Sequence, residues 1–322
     1  MRTSLHWILT AAGAAFLLGS LAAPVRADIL YVSNYGFNTI QKFTSDGVGT
    51  VFADAGDGLN SPGRLAFDSV GNLYVANGGS TILKLTPDGV SSVFADASDG
   101  LNGAGGLAFD GAGNLFVVTG NDTILKLTPD GLGSVFADAS DGVNGLTSLA
   151  FDRAGNLYGT SYYGKMIEKF TPDGVGSVFA DASGGLIVPI SLAFDTAGNL
   201  FVENGFAEIV KFTSSGARSY FAGFGIDNHP VGIAFDSVGN LFVANSGSNS
   251  IGKFTPDGGD SWFAHGIWNG LYNPVDLAFT NDAGVPLLQP GGRLIPEPST
   301  LALLGLGLPA LLCLSRSRRR AG

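Results

Sequence analysis

The chain has 322 residues, of which 27 are acidic and 17 are Lys or Arg, and its formal net charge at pH 7 is −10. An acidic surface repels the phosphates of nucleic acids and of anionic lipids, which excludes a nucleic-acid-binding function. The single cysteine, Cys313, lies near the C-terminus, so residues 28–295 contain neither a disulfide nor a thiolate metal site.

The first 27 residues have the pattern of a secretory signal. Arg2 is followed by an apolar run from Trp7 to Leu21 and by Val25-Arg26-Ala27, a small-residue site of the kind that signal peptidase accepts. The apolar run is short for a bilayer crossing, which favours a cleaved signal over an uncleaved anchor. We predict a signal helix within residues 1–27 and a mature chain that begins at Asp28.

The middle of the chain is a repeat array with a period of about 42 residues. In the unit around Phe67, four short apolar segments alternate with turn sequences such as Asp68-Ser69-Val70-Gly71-Asn72 and Thr86-Pro87-Asp88-Gly89. Four antiparallel strands per repeat predict a propeller blade. The phenylalanine that marks each repeat recurs at Phe67, Phe109, Phe151, Phe194, Phe235 and Phe279.

The two ends of the array predict how the ring closes. The array begins at residues 30–34, which match the second strand of a blade, and it ends at residues 276–279, which match the first strand. Residues 29–280 amount to six periods. We therefore predict an all-β fold, a six-bladed β-propeller of four-stranded blades over residues 28–284, in which the last strand pairs with the first three and leaves no open sheet edge between blades.

Two sequence units carry a resemblance to a known class of propellers. Gly-Leu-Ala-Phe-Asp-x-x-Gly-Asn-Leu-Phe-Val and Thr-Ile-Leu-Lys-Leu-Thr-Pro-Asp-Gly resemble NHL-type repeats and, more broadly, the six-bladed propellers that include relatives of gluconolactonase and strictosidine synthase. These residues are the ones that form blades, so the resemblance implies the fold and does not imply an activity.

One face of the predicted ring carries the loops that vary among repeats. In an antiparallel blade, the loop that enters the first strand and the loop that joins the second and third strands lie on the same face. Aromatic side chains beside Asn and Asp can stack on sugar rings, so we predict a ligand-binding surface there, with packing of loops onto the core as the alternative. The aromatic residues of these loops are Tyr35, Phe37, Tyr162, Tyr163, Phe206, Phe224, Trp268 and Tyr272.

Aspartates three residues apart recur in the entering loops. Such pairs suit hydrogen bonds between side chains and turn backbone, and they are also candidate ligands of Ca²⁺. No complete calcium-loop motif is present, so we expect no cofactor, with Ca²⁺ as the alternative. The pairs are Asp54 and Asp57, Asp96 and Asp99, and Asp138 and Asp141.

Glu203 interrupts the repeat at the fourth residue of a second strand. With Asp227 and His229 of the next entering loop, it is a candidate acid/base group near the channel mouth. The alternative to a binding protein is therefore a lactonase-like or lyase-like enzyme that uses a divalent metal held around Glu203, Asn204 and Asn245. At the position of Glu203 the other blades have Ser33, Ala76, Val118, Thr160 and Ala244.

The last 27 residues consist of three parts in a fixed order. Pro296-Glu297-Pro298 precedes an apolar run from Leu301 to Leu314, and a cluster of arginines follows. This tail resembles the bacterial PEP-CTERM sorting signal. The resemblance implies processing at Pro296, Glu297 and Pro298 by an exosortase-type enzyme and a short apolar transmembrane helix that contacts the membrane transiently. The basic cluster orients such a helix with its positive end in the cytoplasm.

Together these patterns divide the chain into a signal (1–27), a propeller (28–284), a linker (285–295) and a sorting tail (296–322). We expect export through the inner membrane to the cell surface, the outer membrane or the extracellular matrix. A binding or structural module is favoured over an enzyme, with an exopolysaccharide or a surface protein as the partner.

Overall fold

The computed structural model describes residues 28–205, 208–223 and 228–287. Within these ranges, 24 β-strands form six four-stranded antiparallel sheets, each of which is one blade. The first strand of each blade contacts the first strands of both neighbouring blades, so the six first strands surround a central channel. The predicted six-bladed, all-β propeller is confirmed.

The blades are numbered in chain order, and each is given from its innermost to its outermost strand. The chain starts with β1 (Asp28–Asn34), β2 (Thr39–Phe43) and β3 (Gly49–Ala53). Blade 1 contains β4 (Leu65–Phe67), β5 (Leu73–Asn77), β6 (Thr81–Leu85) and β7 (Ser91–Ala95). Blade 2 contains β8 (Leu107–Phe109), β9 (Leu115–Thr119), β10 (Thr123–Leu127) and β11 (Gly133–Ala137).

The second half of the ring follows the same plan. Blade 3 contains β12 (Leu146–Phe151), β13 (Leu157–Ser161), β14 (Met166–Phe170) and β15 (Gly176–Ala180). Blade 4 contains β16 (Pro189–Phe194), β17 (Leu200–Asn204), β18 (Glu208–Phe212) and β19 (Arg218–Gly223). Blade 5 contains β20 (Pro230–Phe235), β21 (Leu241–Asn245), β22 (Ser250–Phe254) and β23 (Asp260–His265).

The closing blade combines the two ends of the array. The last strand, β24 (Pro274–Asn281), pairs antiparallel with β1, and the strand order of the sheet is β24-β1-β2-β3. In this register Leu30 lies opposite Phe279 and Val32 lies opposite Leu277. Closure by the C-terminal strand is thus confirmed, and the pairing covers edges that an open array would expose.

Adjacent blades are held together by a three-ring aromatic arrangement. At the interface of blades 1 and 2, Tyr74 makes edge-to-face contacts with Phe94 of its own blade and Phe109 of the next, with centroid distances of 4.8 and 4.9 Å. Lys84 Nζ lies 5.5 Å from the Tyr74 ring centroid. The same rings and lysine recur at the other five interfaces, so the Phe that marks each repeat packs its blade against the preceding one.

Two kinds of repeated turn form one face of the ring, which we call the turn face. In one, Asp68 accepts the backbone N–H of Asn72 at 2.9 Å and its side-chain amide at 2.6 Å. In the other, the N–H of Gly89 donates to the carbonyl of Thr86 at 2.8 Å, and Gly89 has a φ of 83° that favours glycine. These turns have the scaffold role that their sequences predict.

The predicted signal helix and C-terminal apolar helix lie outside the described residues. Among the residues that the structure describes, no helix is long and apolar enough to cross a membrane. Val285 to Leu287, which the sequence pattern places in a linker, fold back onto the closing blade. Pro286 pairs with Thr280, and the N–H of Leu287 donates to the carbonyl of Phe279 at 2.9 Å.

Candidate functional site

The entering loops and the loops between second and third strands meet on the face opposite the turns, which we call the loop face. In blade 1, the N–H of Gly78 donates to the carbonyl of Asn60 at 2.6 Å, and the side-chain oxygen of Asn77 accepts the N–H of Asn60 at 2.8 Å. The asparagine that ends a second strand therefore fixes the entering loop. Asn204 does the same in blade 4, where it accepts the N–H of Ile187 at 2.7 Å.

Two of the predicted aromatic residues, Phe37 and Tyr272, are in ring contact on the loop face of the closing blade, and the backbone of Tyr35 lies beside them. The rings of Phe37 and Tyr272 lie 5.1 Å apart, and Tyr35 donates its backbone N–H to the carbonyl of Asn273 at 3.1 Å. Gly36 is required beneath this contact, because an added Cβ would lie 2.3 Å from Cδ1 of Tyr272. Tyr35, Phe37 and Tyr272 remain exposed, with 52, 44 and 44 % of their surfaces accessible.

A second pair of aromatic residues lies on blade 3, directly across the ring from the closing blade. Tyr162 and Tyr163 make an edge-to-face contact at 5.0 Å, and Tyr163 is 83 % exposed. A ring as exposed as that of Tyr163 is not packed onto the core. The loop face therefore carries two separate aromatic groups on opposite blades.

The remaining predicted aromatic residues do not join these groups in the described part of the chain. Trp268 is 94 % exposed and lies in a short 3-10 turn, Ile267–Asn269. A Cβ added to Gly49, the first residue of β3, would lie 3.1 Å from the carbonyl oxygen of Asn269, which places this turn beside the outermost strand of the closing blade. Phe206 and Phe224 lie outside the described residues.

The aspartate pairs of the entering loops form reciprocal caps of one-turn 3-10 helices. Asp96 accepts the N–H of Ser98 at 2.8 Å, and Asp99 accepts the N–H of Asp96 at 3.0 Å. The pairs Asp54 and Asp57, and Asp138 and Asp141, make the same capping box. No group of three or more His, Cys, Asp or Glu residues that could hold a metal occurs among the described residues. Calcium binding by these pairs stays a prediction.

Arg64 crosses the central channel. From blade 1, its Nη1 donates to the carbonyl of Val231 in blade 5 at 2.7 Å, and its Nη2 donates to the carbonyl of Ile190 in blade 4 at 3.2 Å. Nη1 also lies 3.6 Å from Oδ1 of Asp276 in the closing blade. Burial raises the pKa of Asp276, and the Arg64 charge opposes that shift. One side chain therefore connects four of the six blades.

Arg64 and Asp276 are not among the site residues predicted from the sequence, although a signal for both exists. They occupy the same position, directly before the Leu-Ala-Phe element, and charged residues appear there only in blade 1 and the closing blade. A Cβ at Gly232 would lie 2.4 Å from the carbonyl oxygen of Val275, which explains why one blade needs glycine. The six residues at this position are Arg64, Gly106, Ser148, Ser191, Gly232 and Asp276.

Glu203 is fully buried at the interface of blades 4 and 5. Neither carboxyl oxygen has a hydrogen-bond partner among the described residues. Burial raises the pKa of Glu203 to about 9, against an opposing effect of the Arg64 charge, so the group is protonated at neutral pH. Glu168 is a second buried carboxyl, which the sequence analysis missed, and burial raises its pKa to about 7.

The other candidate residues near Glu203 have structural contacts of their own. The side-chain amide of Asn204 donates to the carbonyl of Gly185 at 3.1 Å and to Oε1 of Glu208 at 2.6 Å. The carbonyl of His229 accepts the N–H of Ser246 at 3.1 Å, and Asn245 donates to Oγ of Ser250 at 3.4 Å. Asp227 lies outside the described residues. A metal held by Glu203, Asn204 and Asn245 stays a prediction.

A cavity of about 430 Å³ follows the channel. Arg64 and Asp276 line it at one level, and Ser69, Asp110 and Gly113 of the repeated turns line it at another, so it extends to the turn face. Leu287 also contributes to its wall. This cavity thus reaches the face whose repeated turns are predicted to be scaffold.

Comparison with known proteins adds one assignment at the C-terminus. Residues 294–320 match the model described as PEP-CTERM protein-sorting motif. The chain carries a PEP-CTERM sorting motif. The motif implies export across the inner membrane, processing by exosortase and a surface or extracellular location. Its three defining residues, Pro296, Glu297 and Pro298, lie outside the described residues. No curated protein matches the chain.

Solved structures show what the body is similar to. A nidogen/laminin complex matches with a TM-score of 0.67 and 18 % identity, covering 78 % of this chain and 98 % of that chain. A streptogramin B lyase matches with a TM-score of 0.61 and 19 % identity, covering 79 % and 84 %. A gluconolactonase from Xanthomonas campestris matches with a TM-score of 0.54 and 22 % identity, covering 68 % and 82 %. At these identities the likeness establishes the propeller fold alone.

Proposed function

We propose that the protein is an exported, cell-surface propeller that binds an extracellular partner through its loop face and catalyses no reaction. An exopolysaccharide is the preferred partner, and a surface protein is the alternative. The sorting motif supports the location. The observation that carries the binding role is the pair of exposed aromatic groups, Phe37 with Tyr272 and Tyr162 with Tyr163, on opposite blades of one face.

The chemistry of these groups favours a carbohydrate chain. Exposed aromatic rings stack on the apolar faces of sugars, and nearby loop carbonyls and amides bond their hydroxyls. Because the two groups lie across the ring from each other, an extended polymer could contact both, whereas a monosaccharide could contact only one. Two weak contacts on one polymer then add through effective concentration.

Affinity electrophoresis through gels that contain the producing bacterium's own exopolysaccharide tests this proposal. The variants are Phe37→Ala and Tyr163→Ala, alone and combined, and we expect each to reduce the retardation and the double variant to abolish it. Trp262→Ala is the matched control, because Trp262 is an exposed aromatic residue on the outermost strand β23, away from the loop face. Equal retardation of the parent, the two single variants and the double variant would contradict carbohydrate binding by the loop face.

A metal-dependent enzyme of the lactonase or lyase type is the second candidate. What favours it is Glu203, a protonated carboxyl without a hydrogen-bond partner beside Arg64, since a buried acid with a raised pKa can serve as a proton donor. Turnover of a lactone panel with added divalent metals, measured for the parent and Glu203→Gln, is the test. Metal binding and turnover that do not change in Glu203→Gln would end this candidate.

A further inference from the structure

The chain turns back into the channel after its last strand. β24 runs from the loop face to the turn face, and β1 occupies one of its two edges. After the turn that follows β24, Pro286 pairs antiparallel with Thr280. The N–H of Leu287 then donates to the carbonyl of Phe279 at 2.9 Å. These contacts use the other edge of β24, which faces the channel, so the chain runs inward from the turn face when it reaches Leu287.

The space ahead of Leu287 is the channel cavity of about 430 Å³, and Leu287 itself lines it. The wall of this cavity is mostly apolar, since the Leu-Ala-Phe elements of four blades contribute to it. Arg64 and Asp276 line it three residues further along β24 than Phe279, at a distance of about 10 Å. An apolar cavity of this length, open at the turn face, fits a short, uncharged, extended segment.

The sequence after Leu287 has the pattern that this edge of β24 requires. In an antiparallel ladder, every second residue turns its N–H toward the partner strand. Leu287 bonds to β24 in this way, so a continued ladder would bring the N–H of Gln289 to the carbonyl of Leu277. The residues between these positions turn their N–H groups away from β24. Prolines occupy two such positions, Pro286 and Pro290, where the missing N–H costs no ladder bond.

We propose that residues 288–290 extend this short strand along the inner edge of β24, so that the occupant of the channel cavity is the chain's own linker. These three residues, Leu-Gln-Pro, lie outside the described part of the chain. They are uncharged, and they span about 10 Å, which is the distance from Leu287 to the level of Arg64. Gly291 and Gly292 follow, and glycines allow the chain to reverse where Arg64 crosses the channel. The proposal rests neither on the sorting motif nor on a loop-face ligand.

Protection of a single thiol tests this proposal. The full chain, in detergent, carries Cys313→Ser and either Leu288→Cys or Ser248→Cys, and Ser248 is an exposed residue of the loop face. The rate of reaction with a charged maleimide is measured in native buffer and in urea. A thiol inside the filled channel reacts only when the segment opens. We therefore expect position 288 to react at least about tenfold more slowly than position 248 in native buffer, and at the same rate in urea.

Two variants at position 289 provide the matched control. Gln289→Pro removes the N–H that would bond to Leu277, whereas Gln289→Ala keeps it. In the Leu288→Cys chain, only the proline variant should raise the rate at position 288 to that of position 248. The urea midpoint of the body serves as the check on folding, because both variants leave the described residues unchanged. Equal rates at positions 288 and 248, or protection that Gln289→Pro leaves in place, as protection by detergent would be, overturns the proposal.

Discussion

Arg64 and Asp276 form an ion pair between the neighbouring first strands of blade 1 and the closing blade, with Nη1 of the arginine 3.6 Å from Oδ1 of the aspartate. The second carboxylate oxygen accepts the N–H of Leu65 at 2.8 Å, and the N–H of Asp276 donates to Oγ of Ser33 at 3.0 Å. The pair therefore joins blade 1 to the closing blade, which is its neighbour in the ring. Because the two side chains are only 11 and 12 % exposed, neither charge can lose its partner without a large penalty.

Removal of one charge of this pair is expected to destabilise the ring. Arg64→Met leaves Asp276 buried without its cation and should lower the free energy of unfolding by about 3–5 kcal/mol. Urea unfolding measures the effect, and the double variant Arg64→Met/Asp276→Asn should recover part of it. Arg153→Met is the control, since Arg153 is exposed and bonds at the surface to the carbonyl of Thr196, and it should change the free energy by only about 1 kcal/mol or less.

The buried carboxyl of Glu203 is expected to make stability depend on pH. The pKa of Glu203 is raised from 4.5 to about 9 in the folded protein, so ionisation of this carboxyl favours the unfolded state. The contribution of Glu203 to the free energy of unfolding therefore falls as the pH rises from about 4.5 to about 9. Glu203→Gln removes this dependence. The gain in unfolding free energy of the variant over the parent should grow with pH by at most about 1.4 kcal/mol per unit.

Glu168 provides a comparison for that experiment. Burial raises its pKa only to about 7, so the corresponding difference for Glu168→Gln should stop growing near pH 7. Urea unfolding of the three proteins between pH 5 and pH 9 separates the two carboxyls. A parent whose stability rises across this range in parallel with both variants would show that these groups titrate as ordinary solvated acids.

Gly232 is expected to be intolerant of a side chain. In Gly232→Ala the new Cβ would meet the backbone of Val275 at 2.4 Å, and overpacking of this kind costs about 1–3 kcal/mol or more. Gly184→Ala is the matched control, because no atom lies within 4 Å of the position of its Cβ and its φ is not left-handed. Thermal unfolding should show a lower midpoint for the first variant and little change for the second.

The aspartate caps give an experiment that separates a structural role from calcium binding. Asp96→Asn keeps an N-cap acceptor but removes the charge, whereas Asp96→Ala removes both. If the role is that of the observed capping box, only the alanine variant lowers the midpoint, and a chelator has no effect on the parent. A midpoint that falls with EDTA, and that no longer responds to EDTA in Asp96→Asn, would instead establish a calcium site.

The sequence predicts the fold well because the fold is periodic. The recurrence of Phe67 and its five counterparts marks contacts between neighbouring blades, and such contacts are nearly the same in every repeat. Closure follows from the same logic, since the two incomplete ends match complementary parts of a blade. The two kinds of repeated turn are predicted equally well because Asp, Asn, Pro and Gly specify them locally.

The contacts inside the channel could not be predicted in the same way, because each of them occurs once in the ring and does not recur from blade to blade. Arg64 bonds to blades that lie far along the chain, and no local pattern states that its side chain crosses the ring. Glu203 stands out as a break in the repeat, but the sequence does not reveal that it is buried. Tyr35 and Tyr272 come from opposite ends of the array, so their proximity becomes visible only once the ring is closed.

The closing strand also determines how the protein responds to mechanical load. Tension applied through the residues after Leu287 first opens the short pairing of Pro286 and Leu287 with the end of β24. It then acts on β24, which is joined to β1 by a ladder from Asp28 opposite Asn281 to Asn34 opposite Pro274. The ladder bonds are perpendicular to the strands, and a pull along β24 loads them together in shear instead of opening them one at a time. Because the ladder bonds share the load, a pull on the C-terminal end of β24 must break them together. The force needed to unfold the ring from this end should therefore exceed the force that peels a hairpin open one bond at a time.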